Sequence, residues 1–200
     1  DTTGRVEILA INQSVGNLFF QVGGRTYALN GGIVTAFPVG VPLSGVTSIT
    51  INTDAGNDVI NMGNFTVNLP SLTINGGTGD DTVNFNGNIN FAANANLDLD
   101  MQNDHASPGV DQISVSSNAN LILTGTGTAT LKVSRSLFVG SGGSLKTENG
   151  NLTLEANQQA TPTSGVFLGI HFDRSLVECT GSGELTLKGK GGTSASGRYG

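Results

Sequence analysis

The stretch "SLTINGGTGDDTVNF", at residues 71–85, decides the fold that we expect for this chain. It begins and ends with short runs in which apolar and polar residues alternate, and such alternation is typical of a β-strand with one buried face. Between the runs lies a glycine-rich turn that carries two adjacent acids, Asp80 and Asp81. The stretch "SITINTDAGNDVINM", at residues 48–62, has the same order of strand, turn and strand. Two copies of one pattern indicate a repeat protein built from short strands.

Alternating runs recur along the rest of the chain and predict its fold class. They are "SITIN" at 48–52, "SLTIN" at 71–75, "NLDLD" at 96–100, "NLILT" at 120–124, "NLTLE" at 151–155 and "ELTLK" at 184–188. No segment has the sustained period of a helix. We therefore expect an all-β fold, a parallel β-helix (β-solenoid) in which residues 46–200 form coils stacked about 4.8 Å apart. An ordinary β-sandwich is the alternative, because its short strands and turns have a similar pattern.

Stacked coils would place equivalent polar residues above one another. Asn52 would lie over Asn75, and Asn61 over Asn84, so that the side-chain amides hydrogen-bond along the stack. A Gly-x-Asp turn leads into the second strand in three of the repeats, and its aspartates would form a similar column. These aspartates are Asp58, Asp81 and Asp111.

Residues 1–45 have a different pattern and are expected to form a separate N-terminal segment. Two runs, Leu18–Val22 and Arg25–Leu29, flank Gly23-Gly24. A two-residue glycine turn between such runs predicts a β-hairpin. We expect this hairpin segment to cap the first coil, whose strand edges would otherwise be open to pairing with other chains.

The distribution of charge is more informative than the net charge of −6. No lysine or arginine lies between Arg25 and Lys132, whereas that window holds eight aspartates. So few bases cannot neutralise phosphates, and we expect no nucleic-acid partner. No apolar run of 18 residues is present, which predicts no membrane span. The single cysteine, Cys179, excludes an internal disulfide and a multi-cysteine metal site.

The ends of the chain suggest a piece of a longer protein. It begins at "DTTGRVE" and stops at "GRYG", part-way through a repeat. We therefore expect other segments of the same long chain to be among its partners.

The acidic turns are candidate calcium sites. Residues 76–84, "GGTGDDTVN", match the nonapeptide G-G-x-G-x-D-x-U-x of calcium-binding β-helices. Glycines let the backbone turn tightly and aim its carbonyls inward, and aspartate adds a carboxylate ligand. Calcium between stacked turns would also relieve the repulsion among the acids. The predicted calcium site comprises Asp54, Asp58, Asp80, Asp81, Asp111, Gly76 and Gly79. Solvated turn residues are the alternative, because aspartate is common in turns for local hydrogen bonding.

Two resemblances follow from these stretches. "GVTSITINTDAGNDVINM" at 45–62 and "SLTINGGTGDDTVNF", preceded by "NLFFQVGGRTYAL" at 17–29, resemble large exported bacterial proteins with degenerate hemolysin-type calcium-binding repeats. "GSLKTENGNLTLEA" at 143–156 and "GSGELTLKGKGG" at 181–192 resemble filamentous-haemagglutinin-type β-helical adhesins. The resemblances imply an extracellular, cell-surface location and a rigid stalk or adhesin, and we expect no enzymatic activity. They also imply cell-surface glycans or proteins as partners, and a calcium-dependent structural module as the alternative function.

Three arrangements of histidine with acids or cysteine would indicate an enzyme or another ligand site. Asp54, Asp80-Asp81 and His105 resemble the order of carboxylates and histidine in polygalacturonases, which cleave polysaccharides with paired acids. However, His105 is not followed by glycine, and no Arg-x-Lys motif follows. His105 could alternatively belong to a metal or ligand site in its own loop. His171 and Cys179 could form a nucleophilic pair, but Cys179 is expected to pack as a small apolar residue.

Overall fold

The chain is built from short β-strands. A computed structural model describes residues 7–14, 17–22, 26–27, 35–36, 39–102, 107 and 109–192, and these ranges contain no helix. The strands are β1 (Ile8–Ser14), β2 (Asn17–Val22), β3 (Thr26–Tyr27), β4 (Thr35–Ala36), β5 (Val39–Pro42), β6 (Ser48–Asn52), β7 (Val59–Met62), β8 (Ser71–Asn75), β9 (Thr82–Phe85), β10 (Ile89–Asn90), β11 (Leu97–Met101), β12 (Gln112–Val115), β13 (Asn120–Ile122), β14 (Ala129–Val133), β15 (Ser136–Val139), β16 (Ser144–Thr147), β17 (Leu152–Ala156), β18 (Ile170–Phe172), β19 (Leu176–Cys179) and β20 (Leu185–Gly189). The predicted all-β class is confirmed.

Three largely parallel sheets contain almost all of these strands. Sheet 1 has the order β18-β15-β12-β9-β7-β1-β2-β5, sheet 2 the order β10-β13-β16-β19, and sheet 3 the order β20-β17-β14-β11-β8-β6. From β8 onwards, consecutive strands enter sheet 3, sheet 1 and sheet 2 in that order before they return to sheet 3. We call each such passage a unit. The units are 48–62, where the structure places no sheet 2 strand, and 71–90, 97–122, 129–147 and 152–179.

The register between units confirms the expected asparagine pairs. Asn52 lies opposite Asn75 in sheet 3, and the Asn75 Nδ2 atom donates to the Asn52 Oδ1 atom over 2.7 Å. Asn61 lies opposite Asn84 in sheet 1, with an Nδ2 to Oδ1 distance of 3.0 Å. Equivalent residues of neighbouring units therefore stack in phase.

The core is formed by alternate residues of each strand. In β11, Leu97, Leu99 and Met101 are at most 1% exposed, whereas Asp98 between them is exposed. Leu99 lies in register with Leu131 of the next unit. Successive strand residues point to opposite faces, so period-two alternation sends one set inward and the other to solvent. One continuous apolar cluster runs through all the units.

The N-terminal segment differs from the prediction. Instead of pairing across Gly23-Gly24, β2 pairs in antiparallel fashion with β1 and β5, and β3 pairs with β4. The residues of the predicted turn lie outside the described ranges. Because β1 and β5 occupy both edges of β2, the predicted hairpin is wrong, and the hairpin of this segment is β1–β2. The N-terminal segment does cover one edge of sheet 1, because β1 pairs in parallel with β7.

The connection from sheet 3 to sheet 1 is the most variable part of each unit. It spans residues 53–58, 76–81, 102–111, 134–135 and 157–169 in successive units. The register of the paired strands is the same on either side of long and short connections, so insertions are tolerated there.

A core substitution tests this packing. Leu131 is completely buried and lies in register with Leu154. Leu131→Ala should lower the free energy of unfolding by about 2–5 kcal/mol, because it removes buried methyl groups and leaves a cavity. Thr130→Ala changes the adjacent outward-facing position and should cost no more than about 0.5 kcal/mol. Denaturant unfolding of both variants checks this, and equal losses would contradict the assigned strand faces.

Candidate functional site

Asp58, Asp81 and Asp111 form a buried column at the corner between sheets 3 and 1. Each one directly precedes a sheet 1 strand, and those strands are paired in register, so the three side chains stack. Their side chains are buried, with exposures of 1%, 3% and 1%. We call these three residues the Asp column. The predicted stacking of the three aspartates is thus confirmed.

Each carboxylate of the Asp column accepts a backbone N–H from the preceding part of the chain. The Glu7 amide donates to the Asp58 Oδ1 atom over 2.6 Å, the Asp58 amide to Asp81 Oδ1 over 2.7 Å, and the Asp81 amide to Asp111 Oδ1 over 2.8 Å. The series ends at Ser134, whose hydroxyl oxygen accepts the Asp111 amide over 2.8 Å. A buried amide needs an acceptor, and hydrogen bonds to charged groups are the stronger ones. The column therefore ties successive units together beyond the ends of their strands.

The glycines of these turns are required by close approach. A Cβ atom added at Gly76 would lie 2.7 Å from the Asp81 Oδ2 atom. Gly79 has a φ of 129°, and an added Cβ atom would collide with the Gly56 carbonyl oxygen. Gly109 has the same relation to the Gly79 carbonyl oxygen. The Gly-x-Asp pattern repeats because stacked turns need both the carboxylate and the space around it.

The second acid of the pair, Asp80, belongs to an outer row of side chains. In this row each side-chain oxygen accepts an amide of the following unit, which is the opposite direction to the Asp column. Its side chain is exposed, and its Oδ1 atom accepts the amide of Val110 in the following unit over 3.0 Å. Its own amide donates to the Asn57 Oδ1 atom over 2.9 Å. Asp80 therefore binds the next unit while Asp81 binds the previous one, which explains why two acids are adjacent. Asp54 also lies on the solvent side, with a φ of 66°.

Asparagines at the other corners act in the same way, and the sequence analysis missed them. The Oδ1 atom of Asn94 accepts the Thr126 amide, and that of Asn96 the Thr128 amide, both over 2.9 Å. Asn151 accepts the amide of Glu184, also over 2.9 Å. The available signal was the asparagine that directly precedes β11 and β17, at Asn96 and Asn151.

The Asp column belongs to the predicted calcium site, and the structure shows what its Oδ1 atoms contact. Calcium takes six to eight oxygen ligands, most of them with a lone pair directed at the ion. Here the Oδ1 atoms of Asp58, Asp81 and Asp111 already face amide hydrogens. Among the described residues, no three His, Cys, Asp or Glu side chains converge as a metal-binding group. Of the predicted site, the structure brings the column together with Gly76 and Gly79 and places Asp54 and Asp80 outside it. Calcium binding stays a prediction.

The structure does not bring the two members of the predicted nucleophilic pair, His171 and Cys179, onto one sheet. His105 lies outside the described ranges, and Asp81 is engaged in the column. His171 is on β18 of sheet 1, where its ring centroid lies 5.2 Å from that of Phe138 with the ring planes tilted by 52°, whereas Cys179 is on β19 of sheet 2. Cys179 packs against the core and receives a hydrogen bond from Thr147 Oγ1 over 3.1 Å. The predicted packing role of Cys179 is confirmed.

Comparison with known proteins does not identify a function for this chain. The chain matches no protein-family model, no curated protein and no solved structure. In the part of the chain that the structure describes, no helix has the length and apolar character needed to cross a membrane.

Removing one carboxylate of the column should destabilise the protein. Asp81→Ala leaves the Asp58 amide buried without its acceptor, and such a loss costs about 1–3 kcal/mol. Asp81→Asn keeps an oxygen at the same place and should cost less. Asp98→Ala is the matched control, because it removes the same charge from an exposed position on β11. Denaturant unfolding measures all three, and equal losses for Asp81→Ala and Asp98→Ala would contradict the role of the column.

Thermal melts in calcium, magnesium and excess EDTA test the metal prediction. If the carboxylates of the column serve only as acceptors of amide hydrogens, we expect the three melting curves to superimpose. A site filled at about 100 times its dissociation constant would instead add about 2.7 kcal/mol and raise the melting temperature by several degrees. A calcium-selective rise that Asp81→Asn abolishes would contradict our expectation and establish the metal site.

Proposed function

We propose that residues 46–200 form a parallel β-helix that serves as a structural and adhesive segment of an extracellular bacterial surface protein. The observation that carries this proposal is the passage of the strands through three sheets in constant order from β8 to β20. In such a stack each coil contacts only its neighbours, so the chain forms a support whose length grows with the number of coils.

The bonds between units support a mechanical role. Neighbouring units are joined by parallel strand pairing in up to three sheets, and the Asp column and the corner asparagines add bonds where the strands end. Since every unit is attached at its faces and at its corners, bending the stack would break several hydrogen bonds at once. A stiff support of this kind suits a stalk that holds a binding surface away from the cell.

An exposed loop supports the adhesive part of the proposal. Residues 157–169 connect β17 to β18 and carry Val166 and Leu168, which are 66% and 37% exposed. Between them, the ring of Phe167 lies 5.2 Å from the guanidinium carbon of Arg135. Apolar groups beside a cation are typical of surfaces that contact another molecule. We propose cell-surface glycans or proteins as the partners of this loop.

Labelling of intact cells tests the proposed location. Antibodies raised against the purified chain should label the source cells without permeabilisation, because the stack is expected to be outside. An antibody against a cytoplasmic protein serves as the control and should label only permeabilised cells. Labelling that appears for both antibodies only after permeabilisation would contradict an extracellular role.

A further inference from the structure

A small pocket lies between the loop at residues 157–169 and the outer side of sheet 1. Its volume is about 230 Å³, and it is lined by Ser136, Leu137, Phe138, Phe167, Leu168 and His171. Leu137 and Val139 of β15 are completely buried, so the alternate residues Ser136 and Phe138 face outward. We call this cavity the loop pocket. Its walls come from two successive described units and not from a strand edge.

Hydrogen bonds hold the loop against the preceding unit. The Gln159 Nε2 atom and the Thr163 Oγ1 atom both donate to the Ser134 carbonyl oxygen, over 2.6 and 2.8 Å. The side chain of Asn157 is completely buried, and its Oδ1 atom accepts the Thr163 amide over 2.6 Å. The wall of the loop pocket is therefore fixed before any ligand binds, which lowers the entropy cost of binding.

The lining indicates the kind of group that the loop pocket accepts. Leucine and phenylalanine supply four of the six lining residues, and only Ser136 and His171 offer polar side chains. A sugar ring carries several hydroxyls, and burying a hydroxyl without a hydrogen bond is costly. The volume is also below the about 300–1,000 Å³ that is typical of pockets for drug-sized ligands. The pocket therefore suits a single apolar side chain better than a sugar or a long acyl chain.

An arginine beside the pocket adds a second requirement. The guanidinium carbon of Arg135 lies 5.2 Å from the ring centroid of Phe167. Among the described residues, no carboxylate lies within ion-pair distance of Arg135, and none lines the pocket. The planar guanidinium group binds a carboxylate through two parallel hydrogen bonds. An apolar group that carries a carboxylate would therefore complement both the pocket and its neighbouring charge.

We propose that the loop pocket binds the C-terminal residue of a partner protein. An apolar side chain of that residue would lie between Phe138 and Phe167, and its terminal carboxylate would meet Arg135. Only at the C-terminus does one residue carry both an apolar side chain and a carboxylate, and capture of this group is a known mode of peptide recognition. This inference rests on the proposed adhesive role of the loop and names the partner chemistry.

Two short peptides test the inference. One is acetyl-Gly-Gly-Leu with a free C-terminal carboxylate, and the other is the same peptide with a C-terminal amide. The free acid should shift the backbone amide NMR signals of residues 136–138 and 167–171 in the folded, full-length chain. The amide should bind about two- to fivefold more weakly, as expected for one ion pair at a partly exposed site. Acetyl-Gly-Gly-Gly should also bind more weakly, because it lacks the apolar side chain.

Substitution of the arginine tests the source of this preference. Arg135→Gln should bind the acid and the amide equally well, because it removes the positive charge and leaves the lining unchanged. Arg174→Gln is the matched control, since the Arg174 side chain is 82% exposed and does not line the pocket. The control variant should keep the preference of the unmodified chain for the acid.

The remaining outcomes would overturn the inference. They are the absence of shifts at millimolar peptide, equal binding of the acid and the amide by the unmodified chain, and a preference that survives Arg135→Gln. Equal shifts with sodium acetate would show a site for any small anion and would contradict the role of the apolar lining. Tighter binding of methyl glucuronide than of the peptide would identify a sugar as the occupant. None of these results depends on the cell-labelling outcome, so the inference and the proposed location can fail separately.

Discussion

The structure depends on one interaction, in which a side-chain oxygen of one unit accepts a backbone N–H of its neighbour. Strand pairing satisfies the amides within the three sheets but ends at the corners. The amides of the Asp column are buried, and a buried amide without an acceptor is costly. Asp81 accepts from the unit before it and Asp80 from the unit after it. Two adjacent acids thus satisfy amides on both sides of one turn.

This interaction also accounts for the uneven distribution of charge. The segment without lysine or arginine contains the entire Asp column, whose carboxylates accept backbone amide hydrogens. The column ends at Ser134, where a neutral hydroxyl takes over and the connecting turn shortens to residues 134–135. From Lys132 onward, bases and acids alternate on the outer faces instead. The chain therefore uses buried acids in its first units and exposed ion pairs in its last ones.

Much of the fold could be predicted from local sequence patterns, because each strand has one buried face and period-two alternation records it. The asparagine pairs and the stacking of the three aspartates follow from the same repeat. The pairing of β2 was not predicted, because the glycine pair after β2 was a stronger turn signal than the sequence before it, whereas β2 pairs with the preceding strand β1 and with β5. The run "NLILT" contains β13 of sheet 2, whereas "ATLKV" forms the sheet 3 strand of that part of the chain. The sequence pattern did not show which run belongs to which sheet, because the connections differ in length and the strands therefore do not recur at a fixed period.

At the candidate site, the residues were predictable but their bonds were not. The Gly-x-Asp spacing identifies Asp58, Asp81 and Asp111 without showing whether each carboxylate faces an ion or an amide. That distinction depends on the height of one turn above the next, which no sequence pattern encodes.

Hydrogen exchange at individual amides tests the central claim most directly. If the Asp column binds the amides of neighbouring units, the amides of Asp58 and Asp81 exchange in the intact protein as slowly as those of the adjoining strands. Asp111→Ala then speeds exchange at Asp81, whose acceptor it removes, and leaves Asp58 protected. Fast exchange of both amides in the unmodified chain, at the rate of exposed loop residues, would contradict the account.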